Sequence, residues 1–175
     1  MLLWNCLSTD GKRVRHWMCV VPKSLYCDCG CKGRCTIDAM LQLLVWCLRC
    51  LFMGRYPNRR HDGADWLRSD KSRAKMGARG HSFGFHAILM QIRGDWQVYK
   101  QVFGFSGWAS KNICWLCGAT QADGDAPYTD VSLRAKWRTC RYEMSQIFAI
   151  LRASGVALCP LFSAPGVVML CITID

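Results

Sequence analysis

Four cysteines fall within nine residues, Cys27, Cys29, Cys31 and Cys35 in "CDCGCKGRC", among two glycines and two cations. An irregular stretch of this kind supplies little hydrophobic core, so its sulfur has to be accounted for. Cysteines this closely spaced are poorly placed to bridge to one another. The chain holds thirteen cysteines, an odd number. Its first residues, "MLLWNCL", lack the charged n-region of a signal peptide, and their apolar run is too short for an h-region. The sequence therefore reads as intracellular, not secreted, with reduced thiols. Thiolate ligands for zinc are the sharper expectation. Four thiolates would close a tetrahedral shell and leave no position for water, so the metal's role would be structural, clamping a loop.

A second thiol pair, Cys114 and Cys117, stands in "ICWLCGAT". The C-x-x-C-G spacing lets a tight turn aim two sulfurs at one zinc, which makes half a tetrahedral site. The other half would come from the first cluster, from Cys140 or from a histidine such as His61. The alternative is core or surface thiols without metal. Cys47 and Cys50 repeat the spacing inside an apolar helical run, where core packing is the better account.

Charge is distributed unevenly. Residues 1–80 carry fifteen Lys and Arg against six acids, and residues 81–175 carry eight against six. The formal charge of +11 favours a polyanionic partner, such as DNA or another nucleic acid or an anionic membrane surface. The densest run, 55–80, holds eight cations and three acids. Its Arg55, Arg59, Arg60, Arg68, Lys71, Arg73 and Lys75 are the candidate phosphate contacts, with Tyr56 or Trp66 to stack on a base. A solvated charged face is the plainer reading. No small-molecule site is evident: there is no Walker-type phosphate loop, no G-x-S-x-G and no H-E-x-x-H.

The pattern of elements predicts an α/β or α+β chain. Residues 1–54 read as two strands about a turn at Asp10-Gly11, the cysteine knot, and a buried helix from an N-cap at Thr36 to about Met53. Residues 55–82 read as an exposed, turn-rich basic segment. Residues 83–175 open with a buried strand at 86–92, a turn at Gly94 and a helix begun by Asp95. One or two helices follow between 128 and Gly155, and "VVMLCITID" closes as a strand. Two segments resemble membrane spans. The apolar run 39–53 contains Gln42 and Arg49 and is short of the roughly twenty residues that cross a bilayer. The stretch 155–174 is uncharged, but Pro160, Pro165 and Gly166 favour short buried strands or loops.

Carboxylates are scarce, and Glu143 is the only glutamate. An acid closing a buried strand is where RNase H-like nucleases mount metal ligands, which singles out Asp95 and Asp175. Ordinary turn and terminal acids are the alternative.

Three blocks, "CDCGCKGRCTIDAM", "RHDGADWLRSDKSRAK" and "IRGDWQVYKQVFGFSGWASKNICWLCGAT", together resemble multicopy reading frames of dinoflagellate genomes that look like relics of DDE-type transposons. The resemblance covers roughly residues 25–175. It implies an incomplete RNase H-like core with cysteine-rich, zinc-binding insertions, a DNA partner and a nuclear address. It matches Asp95, in a "GD" turn ahead of Cys114 and Cys117, to a catalytic carboxylate, with Asp175 and Glu143 as stand-ins for the others and Mg²⁺ as the ion if catalysis occurs. Two-metal chemistry needs several acids, so the resemblance implies a truncated, transposase-like protein that does not cut DNA alone. Two other classes stand beside it: a zinc-binding nucleic-acid module without catalysis, and a small membrane-attached protein anchored through 155–174.

Overall fold

The computed structural model describes residues 2–7, 13–19, 21–89, 92–94, 96–107, 109–165 and 172–174. The chain forms two compact units, Met1–Ile37 and Asp38–Asp175.

In the first unit, β1 (Leu2–Leu7) pairs antiparallel with β2 (Arg13–Cys19). These are the two strands expected on either side of Asp10-Gly11; the turn itself lies outside the described residues. A single 3-10 turn, Lys23–Leu25, follows Pro22 and leads into the cysteine loop.

The helix α1 (Arg34–Met53) begins two residues before Thr36 and carries the chain from the first unit into the second. Thr36 is not its cap. Its hydroxyl accepts the backbone N–H of Cys27 at 3.0 Å, so the residue serves the loop instead of the helix end. At twenty residues, α1 is longer than the apolar run that predicts it, and it is long and apolar enough to cross a membrane. It also has a packed stripe. Leu41, Val45 and Leu48 are buried at the spacing of one helix face, and Arg49 donates to both the backbone and the hydroxyl oxygen of Ser163 at 3.4 and 3.3 Å. The helix ends in a Schellman arrangement, with Gly54 N–H on Leu51 O and Arg55 N–H on Cys50 O.

Within the basic run, a 3-10 turn at Arg68–Asp70 leads into the eight-residue α2 (Lys71–Ala78), where only exposed turns were expected. Lys, Arg, Ala and Met are good helix formers, and that propensity prevails over the charge pattern. The strand expected at 86–92 does not form over 86–89. The Ala87 N–H is taken by Leu51 O at the end of α1, and Ile88 is exposed, so this segment closes over a helix terminus instead of entering a sheet.

Strand β3 (Ile92–Gly94) pairs parallel with β4 (Ile172–Ile174). Between them come α3 (Trp96–Val98), which widens into a π-helical turn over Tyr99–Phe103, then α4 (Lys136–Thr139) and α5 (Met144–Ala153). The core of this unit is aromatic. Phe105 stacks on Trp115 at 4.6 Å and 6°, and Tyr99, Phe103 and Phe162 close around them. Ile147 and Leu151 of α5, with Cys159 and Leu161, are buried as well.

The described residues are thus mainly helical and irregular, with two two-stranded sheets. An RNase H-like core is not supported, because it needs a broad central sheet and the one parallel pair described here is three residues long. The described part of 155–174 is a 3-10 turn at Pro160–Ser163 and strand β4, not one continuous helix.

Candidate metal centre and basic segment

The cysteine loop is shaped by backbone torsion. Lys32 and Gly33 both take left-handed φ, 56° and 85°, which turns the chain sharply into α1. Gly33 is constrained a second way, since a Cβ there would collide with the Tyr26 ring. The turn brings Cys31 back over Cys27 and sets Cys35 on the first turn of the helix. The sulfurs of Cys27 and Cys31 lie 3.1 Å apart, Cys29 and Cys27 3.6 Å, and Cys29 and Cys35 3.7 Å. All four lie within 4.8 Å of one another.

A tetrahedral ion with bonds of about 2.3 Å to sulfur requires sulfurs about 3.8 Å apart. Two of the measured separations are at that value, and the closest pair needs to open by about 0.7 Å. The group can therefore hold a metal ion such as zinc. A further feature favours charge on the sulfur: the Cys35 N–H donates to Cys31 Sγ at 3.3 Å. The four thiols do not titrate alike. Hydrogen bonds from Cys31 and then Cys29 pull Cys27 down to about 6, and the Cys35 amide lowers Cys31. Cys35 is pushed up to about 12 by the sulfurs of Cys31 and Cys29. Cys29 receives a hydrogen bond from the Cys31 amide, yet the neighbouring sulfurs of Cys31 and Cys27 raise it on balance. Four thiolates packed together repel, so a cation is needed before all four can be ionised at once.

Cys114 and Cys117 sit at the tip of a short hairpin in which Asn112 bridges Thr120. Leu116 N–H donates to Cys114 Sγ at 3.4 Å, as expected of a turn that aims its thiols. Cys140 is delivered nearby: Gly118 N–H donates to Cys140 O and Tyr142 N–H to Leu116 O, both at 2.9 Å. Among the described residues, the Cys27 to Cys35 group is the one group of three or more candidate ligands so closely gathered. Cys117 is 8% exposed, and burial, followed by the neighbouring Cys114, pushes its thiol up to about 11. It behaves as a core residue. Burial likewise raises Cys47 and Cys50, which are half-buried and stand outside the core.

Asp95 and Asp175 lie outside the described residues. Glu143 is exposed and opens α5 in a capping box, with its N–H donating to Gln146 Oε1 at 2.8 Å. Its position is explained by the helix end.

The basic segment is exposed and partly self-neutralised. Arg60 pairs with Asp62 at 3.1 Å, and Arg59 with Asp65 and Arg73 with Asp70 at 3.9 Å each. Arg55, Arg68, Lys71 and Lys75 take part in no ion pair among the described residues. Such surface pairs are weak and yield readily to a phosphate. The chain was compared with family models, curated proteins and solved structures. None matches.

Sequence reasoning missed one feature. Beside the basic segment is a cleft of about 550 Å³ walled by Trp46, Tyr56, Trp66 and Phe83, with Arg60 and Arg73 among its lining. The aromatic residues come from four separate stretches of chain. Their only sequence signal is the interleaving of rings with cations between 46 and 83.

Proposed function

We propose that this chain is a zinc-stabilised nucleic-acid-binding protein that performs no chemistry by itself. The observation that carries the reading is the convergence of four thiols on the scale of one tetrahedral ion. Zinc fits the all-sulfur donor set better than Mg²⁺ or Ca²⁺, which prefer oxygen. The ion would hold together a loop with little core of its own, leaving the cations of 55–80 to supply affinity for phosphate. The resemblance to transposon-derived frames agrees with a DNA partner and a nuclear address, and it makes a transposase-like ancestry part of this proposal. Catalysis would require Asp95 and further acids around Mg²⁺, and Glu143, one of the candidate acids, is an exposed helix cap.

A second reading, attachment to a membrane through α1, is favoured by that helix's length and composition. The buried stripe and the Arg49 contacts with Ser163 seat one face of the helix on the protein, while 17% of its apolar window is buried. Retention in the pellet after alkaline carbonate extraction would favour the membrane.

The test is metal analysis of protein purified without chelator, followed by filter binding to DNA across a salt series. One zinc per chain, lost in Cys27→Ser/Cys31→Ser, and binding that weakens steeply with salt are expected. Zinc at background level, or binding indifferent to salt, overturns the proposal.

A further inference from the structure

The cleft beside the basic segment is held open by rigid parts. On one side Trp66 is fixed by its indole N–H, which donates to Pro57 O at 3.2 Å, and its ring meets Trp46 edge-on at 6.3 Å. On another side Tyr56 meets Phe83 at 4.6 Å, also edge-on. That pair is set by backbone pairing of its two segments: Tyr56 N–H donates to His81 O at 3.0 Å and Phe83 N–H to Gly54 O at 2.8 Å. The α2 helix is seated against the same loop through Gly77, where any Cβ would strike the Pro57 carbonyl. This close approach fixes the position of the helix that carries Arg73.

The volume, about 550 Å³, lies in the range of small-ligand sites. The walls are apolar and aromatic, and the charged lining is Arg60, Arg73 and Asp70. Two guanidinium groups against one carboxylate disfavour a cationic occupant such as an alkylated amine. They favour a flat aromatic group that carries an anion. Arg73 is 71% exposed along its side chain and lies 3.9 Å from Asp70, so it can turn to an anion, whereas Arg60 is paired with Asp62 at 3.1 Å and would have to exchange that partner for a phosphate.

An unpaired nucleotide offers both parts, a base for the rings and a phosphate for the arginines. A base inside a duplex cannot enter unless it leaves its stack. We propose that this cleft takes an unpaired base of single-stranded nucleic acid, with Arg60 and Arg73 meeting its flanking phosphates. The inference rests on the nucleic-acid reading above and specifies the form of nucleic acid preferred.

The test uses three fluorescent probes of about twelve nucleotides: oligothymidylate, a strand of the same length made of abasic residues, and a blunt duplex. Full-length protein should bind oligothymidylate about tenfold or more tighter than the abasic strand, the gain expected from stacking one or two bases. Trp66→Leu should remove that preference, so that the ratio of the two affinities falls to about one. Cys47 and Cys50 line the same cleft, which gives a readout free of substitution. Their alkylation, followed by peptide mass spectrometry, should slow with oligothymidylate and not with the abasic strand.

Equal binding of all three probes, with no protection of Cys47 and Cys50, would sink the cleft assignment while leaving the nucleic-acid reading intact. Failure to bind any probe would overturn both. Protection by free thymidine monophosphate as strong as by the oligonucleotide would overturn the strand and point to a nucleotide ligand. Protection by anionic lipid vesicles alone would overturn it in favour of a membrane-facing cleft.

Discussion

The cysteines of 27–35 and those of 114–140 begin from similar sequence chemistry and end in different environments. In the first group a loop turned by Lys32 and Gly33 places four sulfurs near the surface, within reach of one ion, with few apolar neighbours. In the second, a hairpin aims Cys114 and Cys117 much as a metal knuckle would, but it does so against an aromatic core. Trp115, between the two cysteines, stacks on Phe105, and Cys117 is buried, which pushes its thiol up to about 11. Spacing specifies the local turn in both cases. Whether the sulfurs become ligands depends on how many others arrive and on how much apolar surface is available to bury them.

The largest expected effect comes from removing metal. A strong zinc chelator, or Cys31→Ser, should release all bound zinc and expose the backbone of 21–37 to hydrogen exchange, while amides around Tyr99 to Trp115 stay protected. Exchange followed by mass spectrometry reads both regions together. Parallel loss of protection in the second region would mean that the two cysteine groups depend on the same ion. The complementary substitution is Trp115→Ala. It removes a buried stacked ring and should destabilise the second unit by about 3–5 kcal/mol, measured by denaturant unfolding, with zinc content unchanged.

Much of this contrast was legible in the sequence, though unevenly. The cysteine loop could be read because local spacing alone brings its ligands together. The two N-terminal strands and the helices before Gly155 followed from periodicity and turn residues. Thr36 reads as a cap because capping rules weigh a hydroxyl against its own helix, whereas a loop amide nine residues away claims it. The apolar run at 86–92 has the composition of a strand, but a strand needs a partner, and its amide bonds to the end of α1 instead. The α2 helix was hidden by charge. The cleft was least legible, because Trp46, Tyr56, Trp66 and Phe83 have no shared period and converge only through the Gly77 contact and the pairing of 54–56 with 81–83. The RNase H-like expectation came from resemblance, and a broad sheet has no counterpart among the described residues.

A smaller effect sharpens the account of the loop. Gly33→Ala must hold a Cβ in the left-handed region and push the Tyr26 ring aside, at a cost of about 1–3 kcal/mol. Zinc should still bind, but a competing chelator should withdraw it faster, as a colorimetric release assay will show. Lys32→Gly relieves φ strain at the neighbouring position and should slow release. The same change in rate for both substitutions would mean that loop torsion has no part in gathering the sulfurs.

The smallest effect is in pH, and it takes opposite signs in the two regions. In metal-free protein Cys27 is lowered from 9.0 to about 6, so it favours the folded loop when ionised. That contribution is full above pH 9 and is lost as pH falls through about 6. Cys117 is raised from 9.0 to about 11, chiefly by burial, so its folded environment favours the neutral thiol. Its contribution is full below pH 9 and declines as pH rises toward 11. Alkylation should report both directions. At pH 7 Cys27 should react well ahead of Cys117, and Cys117 should become reactive only as pH passes about 10. Zinc should suppress labelling of Cys27 and leave Cys117 unchanged. Equal rates at pH 7 would show that the two thiols share one kind of environment, and the distinction between ligand sulfur and core sulfur would fail.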